Sequence, residues 1–381
     1  MNRNILIVTG SRGEYGYIKP IIREIENTSD IDYDIVATNM LLIPEFGNAI
    51  NTFSEDKIKV KYKVDMSMSG YTNASMSKSL GIFIQSFTDI VRNENPSIIL
   101  ISGDRGEMLG AAIVGAHMNI PVAHVQAGEV SGNIDGMTRH AITKFAHLHF
   151  ASNNDAQVRL QKMGEQKFRI YNTGAPQLDE INNFTYLSKE SFYRKFHLKN
   201  DKDFAIILLH PITEESHKSE SHMSMILDII NHLKIQAILI FPNNDAGSIG
   251  IQNAIEANKN SQIIVTRNLD RESYINLMKN AKFLIGNSSS GILEAASFKL
   301  PVINIGRRQN GRLQSKNVIN VDFNKDKINH AIEKIYNNKV YINGLKKVQN
   351  LYGDGKSAKR IVNILKDIQI DKKLLIKDIT Y

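Results

Sequence analysis

The chain alternates short, continuously apolar runs with longer segments in which apolar residues recur every three or four positions. Continuous apolar runs are typical of strands buried on both faces of a parallel sheet, and the longer period is that of an amphipathic helix. In the first half this pattern predicts strands at 5–8, 33–38, 98–102, 121–125, 149–151 and 168–172, with helices at 18–26, 76–92, 108–117 and 137–146.

After a polar stretch at 182–203 the same alternation begins again. It predicts strands at 204–209, 236–241, 262–265, 282–285 and 301–304, with helices at 221–233 and 271–280. No segment repeats with a fixed period, which argues against a solenoid. We therefore expect an α/β fold of two doubly wound domains that face each other across a cleft. The boundaries we predict are 1–185 for the first domain, 186–355 for the second, and 356–381 for a C-terminal helix and tail that can return to the first domain.

The composition is that of a globular protein, with 42% hydrophobic and 23% charged residues among 381. Cysteine is absent, which excludes disulfides, thiolate zinc sites, iron–sulfur clusters and a cysteine nucleophile. The net charge of +8 is spread along the chain apart from a basic C-terminal end, which we interpret as a solvated helix face. Trp is absent and aromatic residues are few, so nucleic acid is not an expected partner.

No apolar run approaches the roughly 18 residues that a membrane span needs. The opening apolar stretch, residues 5–8, is also shorter than the core of a secretory signal, which has roughly 7–15 residues. We therefore expect a cytoplasmic protein that does not bind a membrane.

Ligands of doubly wound sheets bind beyond the carboxyl ends of the strands, and several predicted strand ends carry reactive residues. The turn at 9–16 contains Arg12, which can meet an anion, although its glycines do not follow the G-x-G-x-x-G pattern of dinucleotide sites. The turn at 103–107 contains Asp104, a possible base, and Arg105, a possible diphosphate ligand. The alternatives are a tight turn in the first case and a self-contained ion pair in the second.

The segment 124–140 has the highest density of reactive side chains and is a candidate acid–base site. It contains two carboxylates, two imidazoles and an arginine, among them His124, Glu129, Asp135 and Arg139. His147 and His149 lie nearby, but there is no H-E-x-x-H motif and the spacing fits no common ligand set, so we expect no metal.

Two further turns belong to the second half. His210 ends the first predicted strand there and would point into the cleft. At 286–291 the run G-N-S-S-S-G precedes a helix, where small hydroxyl residues and free N–H groups can cradle a phosphate, and Glu294 can accept from ribose hydroxyls. Arg308 adds positive charge close by.

Together these segments resemble the hydrolysing UDP-N-acetylglucosamine 2-epimerases of bacterial sialic-acid and legionaminic-acid synthesis. The matching stretches follow the family order over nearly the whole chain: T-G-S-R-G-E-Y-G, G-D-R-G-E, H-V-Q-A-G-E-V-S-G-N-I-D, R-H-A-I-T-K, L-H-P-I-T, N-N-D-A-G-S and I-G-N-S-S-S-G-I-L-E. The resemblance implies a glycosyltransferase-B-like fold of two Rossmann-like domains. It also implies a UDP-sugar substrate, no metal or other cofactor, and a homodimer or homotetramer.

The implied reaction eliminates UDP to leave a 2-acetamidoglucal, and water then adds to give a free manno-configured amino sugar. By resemblance, the acid–base positions are Asp104, Glu129, Asp135 and His210, and the substrate contacts are Arg105, His124, Gln126 and Arg139. The UDP-binding positions are Arg12, Ser288, Ser289, Ser290, Gly291, Glu294 and Arg308.

The chain departs from the family at Gln126, where many relatives have a catalytic glutamate. Glutamine cannot act as a base, so we expect another of the acid–base residues to take that role. The substitution is compatible with UDP-N-acetylglucosamine and with UDP-N,N′-diacetylbacillosamine. A UDP-sugar glycosyltransferase and a catalytically silent UDP-sugar binder are the alternatives.

Overall fold

A computed structural model describes residues 2–69, 72–132, 134–181, 184–199, 202–258, 260–267 and 269–380. Asn133, part of the motif in segment 124–140, lies outside the described residues. The described chain forms two parallel sheets, each covered by helices. This confirms the predicted α/β class.

The first sheet has seven strands: β1 (Arg3–Thr9), β2 (Ile31–Thr38), β3 (Tyr62–Val64), β4 (Ile98–Ser102), β5 (Val122–Ala127), β6 (Leu148–Ala151) and β7 (Ile170–Asn172). Their order is β3-β2-β1-β4-β5-β6-β7. The helices of this half are α1 (Arg12–Glu26), α2 (Asn51–Glu55), α3 (Asn73–Glu94), α4 (Gly106–His117), α5 (Ile134–Phe145) and α6 (Asn154–Lys162).

The second sheet has six strands: β8 (Phe204–Leu208), β9 (Gln236–Ile240), β10 (Ile263–Thr266), β11 (Phe283–Gly286), β12 (Val302–Ile305) and β13 (Val318–Val321). Their order is β10-β9-β8-β11-β12-β13. Its helices are α7 (Lys189–Lys195), α8 (Ser219–His232), α9 (Ser248–Ala257), α10 (Arg271–Asn280), α11 (Ser289–Leu293), α12 (Lys325–Asn337) and α13 (Lys339–Leu345).

The central strands are apolar throughout because both of their faces are covered. In β1, Ile5 and Ile7 pack in one hydrophobic cluster while Leu6 and Val8 pack in another. Successive side chains of a strand point to opposite faces, so a doubly covered strand needs apolar residues at every position. Because β1, β4 and β5 pair in parallel, their carboxyl ends lie at the same edge of the sheet.

The chain ends with α14 (Ser357–Asp367) and α15 (Lys372–Leu375). Ile361, Val362 and Leu365 of α14 are fully buried in the same cluster as Ile5 and Ile18. The C-terminal segment thus packs on the first sheet, although the domain boundaries at 185 and 355 stay predictions. No helix of the described segments is long and apolar enough to cross a membrane.

Candidate active site

A cleft of about 240 Å³ lies at the carboxyl ends of the two sheets. Its first wall comes from the β1–α1 and β4–α4 turns and the start of α5, and its second from the end of β8 and the β11–α11 turn. The predicted site residues that line it are Arg12, Asp104, Arg105, Asp135, His210, Ser288, Ser289, Ser290, Glu294 and Arg308.

Asp104, in the β4–α4 turn, is surrounded by hydrogen-bond donors and cations. Ser131 Oγ donates to its carboxylate at 3.1 Å, Arg139 makes a short ion pair with it, and Arg312 Nη2 lies 3.8 Å from Oδ2. Burial favours the neutral acid, but the neighbouring guanidinium charges, that of Arg139 first, outweigh it and lower the pKa of Asp104. At neutral pH Asp104 is therefore a carboxylate that can accept a proton.

Asp135, in the first turn of α5, is shifted in the opposite direction. Burial, followed by the negative charge of Asp104, raises its pKa to about 6. Arg308 limits the rise, since its Nη2 lies 3.2 Å from Asp135 Oδ2. Two carboxyl groups whose pKa values are driven apart within one cleft are suited to separate roles as base and acid.

Other predicted residues are buried and do not line the cleft. The Nε2 of His124 hydrogen bonds the Gly103 carbonyl oxygen at 2.7 Å, and burial lowers the pKa of His124 to about 3. Glu129 accepts a hydrogen bond of 2.7 Å from Asn153 Nδ2, and burial raises its pKa. The His124 bond supports the β4–α4 turn from within, and the Glu129 bond ties the end of β5 to the start of α6.

Gln126 is also buried, and it has a φ of 61° where the pairing of β5 with β6 shifts register. Its carbonyl oxygen accepts a hydrogen bond of 2.7 Å from Arg139 Nη1. Arg139 is thereby held between the Gln126 main chain and the Asp104 carboxylate. Because the contact uses the main chain, it forms equally well with glutamine or glutamate at this position.

His210 lies at the end of β8 and is held by its own backbone and ring. Its Nδ1 accepts a hydrogen bond of 3.2 Å from the Asn243 N–H, and its backbone exchanges two hydrogen bonds with the Asn287 side chain. Burial and nearby arginines lower the pKa of His210 well below its usual value. The ring is therefore neutral, and the acceptor role of Nδ1 leaves the proton on Nε2.

The β11–α11 turn requires glycine at its start. Gly286 has a φ of 145°, and a Cβ there would lie 2.0 Å from the Leu208 carbonyl oxygen. Ser288 then caps α11, and Ser290 bonds the Tyr274 hydroxyl. Gly291 does not line the cleft; it lies against β12, where a Cβ would approach a Val302 methyl group to 3.0 Å.

Arg271 and Tyr274 of α10 were not predicted as site residues, yet both line the cleft. Arg271 forms a short ion pair with Glu294 and donates at 2.7 Å to the Gln177 carbonyl oxygen of the first half. In the sequence these residues form part of an ordinary helix start after Asp270, with no glycine or motif to mark them.

Arg105 reaches across the cleft to the second sheet. Its Nη2 lies 2.8 Å from Asn244 Oδ1 and 3.1 Å from Asp245 Oδ1, and its Nε lies 3.3 Å from Glu107 Oε1. Asn244 and Asp245 belong to the N-N-D-A-G-S stretch, which had no assigned role. Glu107, which is buried against Gly10, also had no role assigned from the sequence.

Within the described ranges, no group of three or more His, Asp or Glu side chains is placed to hold a metal ion. The arginines that line the cleft are Arg12, Arg105, Arg271 and Arg308. Burial lowers the pKa of Arg12 to about 10, which leaves it protonated at neutral pH.

The two sheets and their cleft define an α/β enzyme with a glycosyltransferase-B-like fold. A family model described as UDP-N-acetylglucosamine 2-epimerase matches residues 23–366. The chain belongs to this family of enzymes.

Two relatives illustrate its place there. The chain is 35% identical over 378 residues to a UDP-N,N′-diacetylbacillosamine 2-epimerase (hydrolyzing) from Legionella pneumophila, with 99% of each chain covered. It is 35% identical over 340 residues to a GDP/UDP-N,N′-diacetylbacillosamine 2-epimerase (hydrolyzing) from Campylobacter jejuni, with 87% of each covered.

The fold matches that of the UDP-GlcNAc 2-epimerase from Neisseria meningitidis, crystallised with UDP-GlcNAc. The TM-score is 0.80 at 18% identity, and 95% of this chain and 99% of that chain are covered.

Proposed function

We propose that the chain is a hydrolysing 2-epimerase that converts UDP-N-acetylglucosamine and water to N-acetylmannosamine and UDP. The observation that carries this is the cleft itself, in which the carboxyl groups of Asp104 and Asp135 lie with the arginines and His210 at the carboxyl ends of both sheets. A second candidate is the same reaction on UDP-N,N′-diacetylbacillosamine, the sugar named for the two relatives that are 35% identical.

In the first step Asp104 takes the proton from carbon 2 while the bond between carbon 1 and the diphosphate oxygen breaks. UDP leaves with the bonding electron pair, and a 2-acetamidoglucal remains. The proton at carbon 2 is not acidic, so the step depends on stabilising the leaving group. Arg12 and Arg308 offset the charge of the diphosphate, and His210 offers a neutral N–H donor.

In the second step water adds across the double bond. Its hydroxyl group joins carbon 1, and Asp135 delivers a proton to carbon 2 from the opposite face. The remaining proton of the water restores Asp135, and the proton on Asp104 passes to solvent as UDP is released. Glu129 is bonded to Asn153 and does not line the cleft. Its acid–base role therefore stays a prediction.

We place UDP along the second wall, with Ser288, Ser289 and Ser290 near the diphosphate and Glu294 near the ribose. Arg105 is bonded to Asp245 and Asn244, which supports a role in holding the two halves of the site together. We also propose that the protein is cytoplasmic and forms a homodimer or homotetramer. Light scattering coupled to size-exclusion chromatography tests the number of subunits.

The test uses purified protein in deuterated water with each UDP-sugar separately. We expect UDP release and a manno-configured free sugar that carries deuterium at carbon 2 by proton NMR. Asp104→Asn and His210→Asn should both slow turnover strongly. UDP binding without UDP release from either sugar would instead support a transferase or a silent binder.

A further inference from the structure

A loop of the second half docks on the segment of the first half that joins β5 to α5. The loop, residues 306–312, follows β12, and the part of the segment that it meets is residues 129–132. The N–H of Gly132 donates to the Arg308 carbonyl oxygen at 2.8 Å, and a Cβ at Gly132 would overlap the Arg307 carbonyl oxygen. The two main chains are therefore in direct contact, and only glycine fits between them.

Each arginine of the 306–312 loop bonds the first half. Arg307 donates to a main-chain carbonyl oxygen there and is half-exposed. Arg308 lines the cleft, and its Nη2 lies 3.2 Å from Asp135 Oδ2. Arg312 differs from both, because its side chain is only 3% exposed and does not line the cleft. The mechanism above gives Arg312 no role.

Arg312 connects the loop to Asp104 through Ser131. Its Nε donates to the Val130 carbonyl oxygen at 2.6 Å, and its Nη2 donates to Ser131 Oγ at 3.2 Å. Ser131 Oγ in turn donates to Asp104 Oδ2 at 3.1 Å. A hydroxyl group has one proton, so accepting the bond from Arg312 leaves that proton available to Asp104. Arg312 thereby sets the direction of a hydrogen bond to the proposed base.

Arg312 obtains its charge partners from the other half of the chain. Burial disfavours the guanidinium charge, but the carboxyl groups of Glu129 and Asp104 outweigh it and raise the pKa of Arg312. Its Nη1 is buried and has no hydrogen-bond partner among the described residues. An unsatisfied donor on a charged group costs folding free energy. The side chain therefore serves the first half at a cost in stability.

We propose that Arg312 is a positioning residue for proton abstraction. From the second half it fixes the main chain at Val130 and directs the Ser131 hydroxyl group at Asp104, so the base is complete only while the two halves are docked. The inference rests on the proposed function and deepens it, because it adds a residue from outside the cleft lining to the first chemical step. A UDP-sugar that bridges the two walls then also holds the base in its active arrangement.

Several elements contribute titratable or charged groups that face Asp104. They are Glu14 and Tyr17 of α1, His124 of β5, Asp135 and Arg139 of α5, and Arg308 and Arg312 of the 306–312 loop. Among the cations that lower the pKa of Asp104, Arg139 has the largest effect and Arg312 the next. Loss of the Arg312 charge should therefore raise this pKa. Asp104 must be ionised to accept a proton, so the rising limb of kcat/KM should then move to higher pH.

Two substitutions separate the geometry of Arg312 from its charge. Arg312→Lys keeps the charge but cannot make the two directed bonds of the guanidinium group, and Arg312→Met removes both. We expect kcat to fall about tenfold for Arg312→Lys and about 100-fold for Arg312→Met, the cost of a displaced catalytic group. The rising limb should move to higher pH in Arg312→Met but not in Arg312→Lys. The Kd for UDP should stay within about threefold, because Arg312 does not line the cleft.

Ser131→Ala is a milder variant for the same test, and it decides the question even if Arg312→Met does not fold. It removes the hydroxyl group between Arg312 and Asp104 without changing any charge. We expect a smaller fall in kcat and a shift of the rising limb to higher pH, because the bond from Ser131 also lowers the pKa of Asp104. Combined with Arg312→Lys, it should cost less than the product of the two single losses, since both act on one chain of bonds. Arg92→Lys and Arg92→Met, at the exposed pair with Asp89, are the matched controls.

The rate of UDP release as a function of pH gives kcat/KM and its limbs, calorimetry gives the Kd for UDP, and circular dichroism gives the folded fraction. Wild-type kcat in every variant, or losses that equal the unfolded fraction with no shift of the limb, would overturn the inference while the epimerase proposal stands. A large rise in the Kd for UDP at unchanged kcat would do the same, because Arg312 would then hold the nucleotide. An absence of UDP release by the wild type would remove the proposed function, and this inference with it.

Discussion

The two walls of the cleft differ in how they present polar groups. The first wall holds Asp104 and Asp135, carboxyl groups with opposite pKa shifts, among guanidinium groups. The second wall presents the neutral ring of His210 and the hydroxyl groups of Ser288 and Ser290, and the carboxylate of Glu294 is paired with Arg271.

The difference indicates that the two walls have different functions. Proton transfer needs an ionised group that accepts a proton and a group that can hold one to deliver, and Asp104 and Asp135 of the first wall are shifted in these two directions. Holding a nucleotide needs fixed donors and acceptors whose charge does not change, and the second wall has those. Substitutions of the carboxyl groups of the first wall should therefore reduce kcat, and those of Glu294 and the serines of the second wall should weaken UDP binding.

The largest effect should come from Asp104→Asn. The amide keeps the shape but cannot accept the proton at carbon 2, so we expect kcat to fall by about 10³-fold, within the usual range of acid–base catalysis. The Kd for UDP should change less than about threefold. Steady-state UDP release and calorimetry measure the two, and Asp89→Asn at the exposed Asp89–Arg92 pair is the matched control. A retained kcat would place the base elsewhere.

Glu294→Gln should have the next largest effect. It should weaken UDP binding and leave kcat nearly unchanged. It removes a charged acceptor and breaks the ion pair with Arg271, which keeps Glu180 as a partner at 3.3 Å. A hydrogen bond to a charged group contributes roughly 1.5–3 kcal/mol, which corresponds to a rise in the Kd for UDP of about 10–100-fold. The kcat at saturating substrate should fall less than about fivefold. A large fall in kcat with unchanged UDP affinity would contradict the division between the walls.

Ser290→Ala tests the contribution of a neutral group in the second wall to UDP binding. Its hydroxyl bonds Tyr274 and lies 3.2 Å from Ser288 Oγ, so its loss disturbs the cradle without changing any charge. We expect the Kd for UDP to rise about 3–10-fold, the value of one neutral hydrogen bond. Ser77→Ala, on the exposed part of α3, is the control. An unchanged Kd would show that the diphosphate does not contact this serine.

The smallest effect should be a shift in pH dependence. Asp135 must be protonated to act as an acid, so kcat/KM of the wild type should decline as the pH rises through about 6. Arg308 lowers this pKa, and Arg308→Gln should therefore raise it and move the declining limb to higher pH by about one unit. The quantity to measure is the pH at the midpoint of the declining limb of kcat/KM. This midpoint can be compared even if the variant has a lower maximum kcat/KM. A midpoint that stays in place, or moves down, would exclude Asp135 as the group observed.

Much of the fold could be predicted because buried parallel strands and amphipathic helices have local signatures. The predicted strand at 98–102 and helix at 271–280 match β4 and α10 residue for residue. Strands β3 and β13 were not among the predicted ones. Each lies at the edge of its sheet, is short, and keeps polar residues such as Lys63 and Asn320, so its apolar pattern is weak.

The chain by itself indicated that the turns at 9–16, 103–107 and 286–291 reach the cleft, because glycines and reactive residues at strand ends are local features. It also determined the family, because the matching motifs follow one another in order. Only the tertiary structure decided which of these residues share an environment. It brought Arg271 to Glu294 and Arg105 to Asp245, and it left His124, Gln126, Glu129 and Arg139 out of the cleft lining. It also set the opposite pKa shifts of Asp104 and Asp135. Burial and the distance between charges act through space, between residues far apart in the chain, and so leave no local pattern in the sequence.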